Sequence, residues 1–224
     1  MLTPSPALRT ALARHRLVLG SQSASRQALL RTLDLPFETL RAGIDEKAIR
    51  RASPEELVVA LALAKAEAVK AQLSSSAGDR WRPTAAATQR PVLLISADQV
   101  VVHDDTILEK PESEAQARAW IASYAGAAVR TVGALAVSNL ATGRTVCELD
   151  LATVVFQPAG LPASSVDALV AAGEVFACAG GLMVEHELVS PHVARIEGGL
   201  DSVQGLGREL LLRLLALAVD LEEA

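Results

Sequence analysis

Aromatic side chains are scarce in this chain: Phe, Trp and Tyr together make 3% of 224 residues, although 50% are hydrophobic. The core must therefore be built from Ala, Leu and Val. With no basic stripe interleaved with rings, the same scarcity excludes a surface for a nucleic-acid polymer. Cysteine is also scarce. Cys147 and Cys178 stand far apart and fit no metal spacing, which points to reduced thiols in a cytoplasmic compartment. The four His residues form no zinc pattern, because His186-Glu187 lacks a second His four residues after the first and His192 lies too far along. Long apolar runs are absent too, none reaching the roughly 18 residues of a membrane span. The longest candidate, Leu206 to Val219, is broken by Arg208, Glu209 and Arg213. Excess positive charge is missing, the formal net charge being −5. An acidic protein can still bind a nucleotide, since the cations need only be local.

What is present alternates between strand and helix signals. The first sixteen residues hold Arg9, Arg14 and Arg16 and no acid, and read as a disordered tail before the first strand or as a fragment of a transit peptide. Leu17–Leu19 reads as a strand, Ser25–Leu33 as a helix and Pro36–Leu40 as a second strand. Ser53-Pro54-Glu55-Glu56 is a strong helix start, with Ser53 as N-cap, Pro54 in the first helical position and Glu56 completing a capping box. That helix is expected to reach about Leu73, with Leu57, Leu61, Ala64 and Ala68 inward. Residues 74–90 lack periodicity and read as a surface insertion. Pro91–Ser96 is a continuous apolar run, the pattern of a strand buried on both faces. Ser113 opens a helix to about Tyr124, and Val129–Ser138 and Thr145–Phe156 form a hairpin around Ala141-Thr142-Gly143. Pro162–Ala172 is a helix closed by Gly173, and a last helix starts near Leu206. The order predicts a mixed α/β fold with an antiparallel section in its second half.

The segment Leu17–Arg26 carries the first chemical signal. A short strand ends in Gly20-Ser21-Gln22-Ser23, and Arg26 enters as a helix begins. Free N–H groups and the positive end of a helix make such a turn an anion seat, and hydroxyls with an Arg fork suit phosphate oxygens. Ser is equally the ordinary N-cap residue, so the turn alone reads either way. Asp98 follows the buried strand, where α/β sheets place ligand-contacting carboxylates and where a polar residue can also simply cap a turn. Lys110 stands in the stretch Ile107-Leu108-Glu109-Lys110-Pro111, Asp45-Glu46 follows the second strand, and Lys65 lies on an Ala-rich helix. Singly, a loop Lys is a solvated charge and a helical Lys snorkels to solvent. Together they form the set that metal-assisted chemistry on a polyphosphate requires: cations for the phosphates, carboxylates for a divalent ion, and one carboxylate to accept a proton from water.

At these residues the chain resembles the Maf family of nucleoside triphosphate pyrophosphatases, also called septum-formation inhibitor Maf proteins. Its S-x-S-P-R-R loop is similar to Ser21-Gln22-Ser23-Ala24-Ser25-Arg26, and its I-D-E segment to Ile44-Asp45-Glu46. Its A-K-A-x-A-V helix is similar to Ala64–Val69, its A-D-x-V-V to Ala97–Val101, and its I-L-x-K-P to Ile107–Pro111. Cys178-Ala179-Gly180, Arg195-Ile196-Glu197-Gly198 and Val203-Gln204-Gly205-Leu206 match later landmarks. The resemblance runs from Leu17 to the C-terminus. It implies a single Maf-like catalytic domain over 17–224, built as a twisted mixed sheet flanked by helices, with two lobes around a nucleotide cleft as in the related ITPase-like fold. It further implies hydrolysis between the α- and β-phosphates of a nucleoside triphosphate. In that reading Ser21, Ser23 and Arg26 hold phosphates, Lys65 and Lys110 add positive charge, and Asp98 accepts the proton. Glu46 assists, Asp98 and Glu46 hold Mg²⁺, Mn²⁺ or Co²⁺, and the protein is a possible cytoplasmic homodimer.

The departures bear on the base. Ser25 stands where the first Arg of the pair is usual, Ala24 replaces Pro, and Val132-Gly133 replaces Thr-Gly. Family members with Arg at the first of these positions and Thr after the Asp resemble dTTP/UTP pyrophosphatases. Gln99 after Asp98, with Glu185 in the late loop, resembles instead the subgroup acting on 7-methyl-GTP. A carboxylate at Glu185 can accept hydrogen bonds from the guanine N1–H and 2-amino edge. That subgroup often carries Trp where this chain has Ser25, a ring that could stack on the base. The expected activity is therefore pyrophosphohydrolysis of modified nucleotides such as 7-methyl-GTP. The alternatives are a pyrimidine pyrophosphatase and a nucleotide-binding regulator of cell division without turnover.

Overall fold

The computed structural model describes residues 2–74 and 90–221. The stretch read as an insertion over 74–90 therefore lies, apart from its two end residues, outside the described residues. The strands form a seven-stranded mixed sheet with neighbours in the order β2-β1-β3-β5-β6-β7 and β4 beside β3. Their ranges are β1 Arg16–Leu19, β2 Phe37–Thr39, β3 Val92–His103, β4 Thr106–Leu108, β5 Ala128–Asn139, β6 Thr145–Phe156 and β7 Val193–Glu197. The chain divides into two compact units: Met1–Asp98 with Ala134–Leu149 and Arg208–Ala224, and Gln99–Gly133 with Asp150–Gly207.

In the first unit β1 lies between β2 and β3 and runs parallel to both, with Leu17 beside Phe37 and Val18 beside Leu94. Parallel neighbours require crossovers, and helices α2 (Ala24–Arg31) and α3 (Pro54–Ser74) supply them. Both starts are written locally. The Ser23 hydroxyl accepts from the Arg26 N–H at the head of α2, and Ser53 accepts from Glu56 N–H at the head of α3. Val18, Ala66, Val69 and Leu94 pack as a core cluster, and helix α7 (Arg208–Ala218) buries Leu211, Leu214 and Leu215. Arg213 donates two hydrogen bonds of 2.7 Å to Glu148 on β6.

Three sequence expectations are corrected here. The first sixteen residues are not a disordered tail: helix α1 (Pro6–Leu12) has Ser5 as its cap and buries Leu8 and Leu12. The inward face of α3 is Leu57, Val58, Leu61, Ala62, Lys65, Ala66 and Val69, whereas Ala64 and Ala68 are half-buried. The strand after 90 does not end before Asp98 but runs through it to His103, so Asp98 sits mid-strand. A paired polar side chain can interrupt an apolar run without interrupting the ladder, because the backbone bonds do not depend on it.

In the second unit β3 turns into β4 through Asp104 and Asp105, at φ 46° and 57°. Two successive left-handed residues are what a tight type I′ hairpin demands, and Asp tolerates the region better than most side chains. Helix α4 (Glu114–Ser123) is capped by Ser113, and α5 (Ala163–Ala172) ends at Gly173 in the left-handed conformation. Strands β6 and β7 pair antiparallel with a bulge at Val155/Phe156. The core is centred on Tyr124, whose ring stacks on Phe156 at 5.5 Å and meets the His103 edge at 5.4 Å. A short helix α6 (Leu200–Val203) follows β7.

Candidate active site

The loop from β1 into α2 is a chain of hydroxyls. Ser21 is buried and its Oγ accepts from the Ser23 N–H at 3.2 Å, while the Ser23 and Ser25 hydroxyls lie 2.8 Å apart. Ser23 therefore does cap the helix, and the cap and anion readings are not exclusive. Gly20 lies close under the loop, where a Cβ would stand in ordinary contact with the Ile95 carbonyl oxygen, Val69 and Leu94. One turn on, the Arg26 guanidinium donates to the Ala97 carbonyl at 3.1 Å, which fixes it beside the residue preceding Asp98.

Beneath that loop lies a buried ion group. Lys65 points inward from α3, and its Nζ is 2.5 Å from Asp98 Oδ1 and 2.9 Å from Glu46 Oε1. Lys65 and Asp98 are 9% and 7% exposed, so the Lys does not snorkel to solvent as helical lysines generally do. Glu46 reaches in from a single 3₁₀ turn, Glu46–Ala48, and its side chain stays half in water. Its neighbour Asp45 is spent on capping that turn, accepting from Lys47 N–H at 3.1 Å. Burial pushes the Asp98 carboxyl above the usual carboxylate range, while Lys65 and then Arg26 draw it back and Glu46 adds to the rise. The structure thus brings Ser21, Ser23, Ser25, Arg26, Glu46, Lys65 and Asp98 into one unit, with the acids and the cations interleaved.

Gln99, Lys110 and Glu185 belong to the second unit. Side chains alternate along a strand, so Gln99 faces away from Asp98. Its amide donates to the Ser202 carbonyl at 2.7 Å. Lys110 and Glu185 are exposed, and both act electrostatically on the half-buried Cys178 thiol, which burial and Glu185 push up to about 11. Their loops meet at Gly180, whose N–H donates to the Glu109 carbonyl at 2.8 Å and whose carbonyl accepts from the Tyr124 hydroxyl at 2.6 Å. Tyr124 and Gly180 were not among the sequence candidates for the site. The available signals were that Tyr124 is the sole tyrosine and that Gly180-Gly181 is a double glycine.

Among the described residues no group of three or more His, Cys, Asp or Glu could hold a metal ion. The donor set nonetheless suits a small hard cation. It brings two carboxylates, Glu46 and Asp98, together around the Lys65 ammonium. Mg²⁺ is commonly held by one or two carboxylates plus substrate phosphate oxygens rather than by an all-protein cage.

A hydroxyl-rich strand-to-helix turn and a buried Lys–carboxylate group in one unit of a mixed α/β sheet are features suited to a protein that handles phosphate. The model of the Maf-like protein family matches residues 16–218, and the chain belongs to that family. It is 33% identical over 200 residues to the 7-methyl-GTP pyrophosphatase of Dictyostelium discoideum, covering 89% of this chain and 95% of that one. It is 34% identical over 209 residues to the dTTP/UTP pyrophosphatase of Salinibacter ruber, covering 93% and 94%. It is also 34% identical over 216 residues to the nucleoside triphosphate pyrophosphatase of Streptomyces coelicolor, covering 96% and 93%. No helix among the described residues is long and apolar enough to cross a membrane.

Proposed function

We propose that this chain is a nucleoside triphosphate pyrophosphatase, cutting between the α- and β-phosphates, with 7-methyl-GTP as its preferred substrate. The observation that carries the reading is the Lys65 ammonium held between Asp98 and Glu46. A binding protein has no need to bury a carboxylate whose ionisation burial opposes, whereas a proton acceptor gains basicity from it. Ser21, Ser23 and Arg26 bind phosphate oxygens, the hydroxyls donating and the guanidinium presenting its planar fork. Lys65 and Lys110 add charge that stabilises the developing pyrophosphate. A water oxygen attacks the α-phosphorus, the bond from that phosphorus to the bridging oxygen breaks, and Asp98 takes the proton. Glu46 and Asp98 would hold a divalent ion, which when bound neutralises phosphate charge.

The base preference rests on Glu185, a carboxylate able to accept from the guanine edge and to favour a cationic methylated ring. The similarity to relatives named for 7-methyl-GTP and for dTTP/UTP leaves the base to experiment. Pyrophosphate release from 7-methyl-GTP, GTP, UTP, dTTP and ITP with Mg²⁺ or Mn²⁺ tests the reading. Turnover led by 7-methyl-GTP and lost in Asp98→Asn is expected. A pyrimidine preference removes the base assignment, and nucleotide binding without turnover removes the enzyme.

A further inference from the structure

The second unit contains a device that none of the proposed substrate contacts uses. Gly180 is a junction: its N–H is taken by the carbonyl of Glu109, the residue before Lys110, and its carbonyl by the Tyr124 hydroxyl. Only glycine fits. Its φ is +62°, and a Cβ would lie 2.6 Å from the Tyr124 hydroxyl oxygen and 2.9 Å from the Val101 Cβ. The tyrosine is itself immobilised, 2% exposed, stacked on Phe156 and edged by His103, whose Nε2 lies 3.1 Å from the Ser123 carbonyl. Burial pushes the phenol well above its ordinary range, so it stays a donor at every working pH.

The loop that this bond holds also packs into the core of this unit, where Gly180, Gly181, Met183 and Val184 are buried. An apolar cavity lies against it, lined by Ile121, Tyr124, Phe156, Leu161, Gly181 and Met183. Gly181 is likewise left-handed, at φ +63°, and stands over Pro111, the residue after Lys110. The Cys178 thiol senses Glu185 and Lys110 together, so the two charges act on one small region of this unit. The clamp thus joins the Glu109–Pro111 turn to the loop that runs from Cys178 to Glu185.

We propose that Tyr124 is a positioning residue for base selection, its hydroxyl holding the Glu185 loop in register through the Gly180 carbonyl, while the Lys110 turn keeps its own bond from the Gly180 N–H to Glu109. This rests on the reading of Glu185 as the base-contacting carboxylate. A neutral hydrogen bond of this kind is worth up to about a factor of ten in an equilibrium constant. Tyr124 touches no substrate, so its loss acts on recognition and leaves the Asp98 chemistry in place.

The test is Tyr124→Phe in the full chain, which keeps the ring and removes only the hydroxyl. Two readouts are taken: kcat/KM for 7-methyl-GTP and UTP, and hydrogen exchange of the amides from Gly180 to Glu185. Expected are a roughly tenfold fall in the ratio of the two kcat/KM values, carried by KM with kcat kept, and roughly tenfold faster exchange. An equal fall for both nucleotides, or unchanged exchange, overturns the proposal. Glu185→Gln in parallel separates the two levels. If it leaves selectivity intact, the base reading fails, and the exchange data still decide whether Tyr124 holds the loop. If it abolishes selectivity while Tyr124→Phe changes neither readout, the positioning role alone fails.

Discussion

In the first unit Lys65 and Asp98 are buried and pair with each other, whereas in the second Lys110 and Glu185 are exposed and are placed by the backbone that carries them. The first set is mutually dependent. Each charge is tolerated in a dry place because another compensates it, so chemistry and stability cannot be separated there. The second set is independent of its own charges, because Gly180 and Tyr124 would hold the loops whatever side chains they bore. On the proposed reading, the buried group is fixed for chemistry, while the exposed Glu185 can vary for selection at small cost to stability.

The sharpest way to break that contrast is at Asp98. Asp98→Asn is expected to lower pyrophosphate release by about 10²–10⁴-fold, as removal of a proton acceptor does, with unchanged circular dichroism. Full activity in that variant would move the chemistry elsewhere. Next in size is Lys65→Met, which leaves the Asp98 carboxylate buried without its cation. The expected loss is about 3 kcal/mol at neutral pH by chemical denaturation. The pH sign follows from the raised Asp98 carboxyl. A carboxyl raised by folding favours the fold below its unfolded value, and that benefit is lost as pH rises through the raised one. The Lys65→Met deficit should therefore shrink as pH falls through that window, since a protonated Asp98 needs no cation. A pH-independent deficit would mean that the lysine matters only as packing.

The second unit answers differently. Glu185→Gln is expected to reduce preference for 7-methyl-GTP over UTP by about tenfold or more while moving stability by less than about 0.5 kcal/mol, as exposed substitutions do. Loss of stability instead would place Glu185 with the first set. The smallest effect concerns Cys178, whose thiol is pushed up to about 11 by burial and then by Glu185. It should react slowly with a thiol reagent at neutral pH, and Glu185→Gln should quicken it roughly twofold, because less opposing charge favours the thiolate. No change would show that the two groups are electrostatically separate.

Most elements were legible because their signals are local. Ser53-Pro54, Ser113 and Gly173 each end or begin a helix through a bond spanning a few residues, and β6 runs from Thr145 to Phe156 as read. The helix at Pro6–Leu12 was missed because seven residues carry too little periodicity, although Ser5 and Pro6 are a cap and a first-turn proline. Strand β4, only three residues, was hidden by a turn of two Asp residues in place of the usual Gly. At the site, the identities of Ser21, Arg26, Glu46, Lys65 and Asp98 stood out as a set, but Lys65 on its own read as a solvated charge. Its partner Asp98 lies 33 residues away, and no periodicity encodes such a pairing. The Tyr124–Gly180 bond spans 56 residues and was invisible for the same reason.

The most direct measurement is pyrophosphate release from 7-methyl-GTP and UTP by three proteins side by side: wild type, Asp98→Asn and Glu185→Gln. The account predicts that Asp98→Asn loses both substrates together, while Glu185→Gln keeps turnover and loses the preference between them. Selective loss in Asp98→Asn, or equal loss of both substrates in Glu185→Gln, would contradict the division of labour between the two sets.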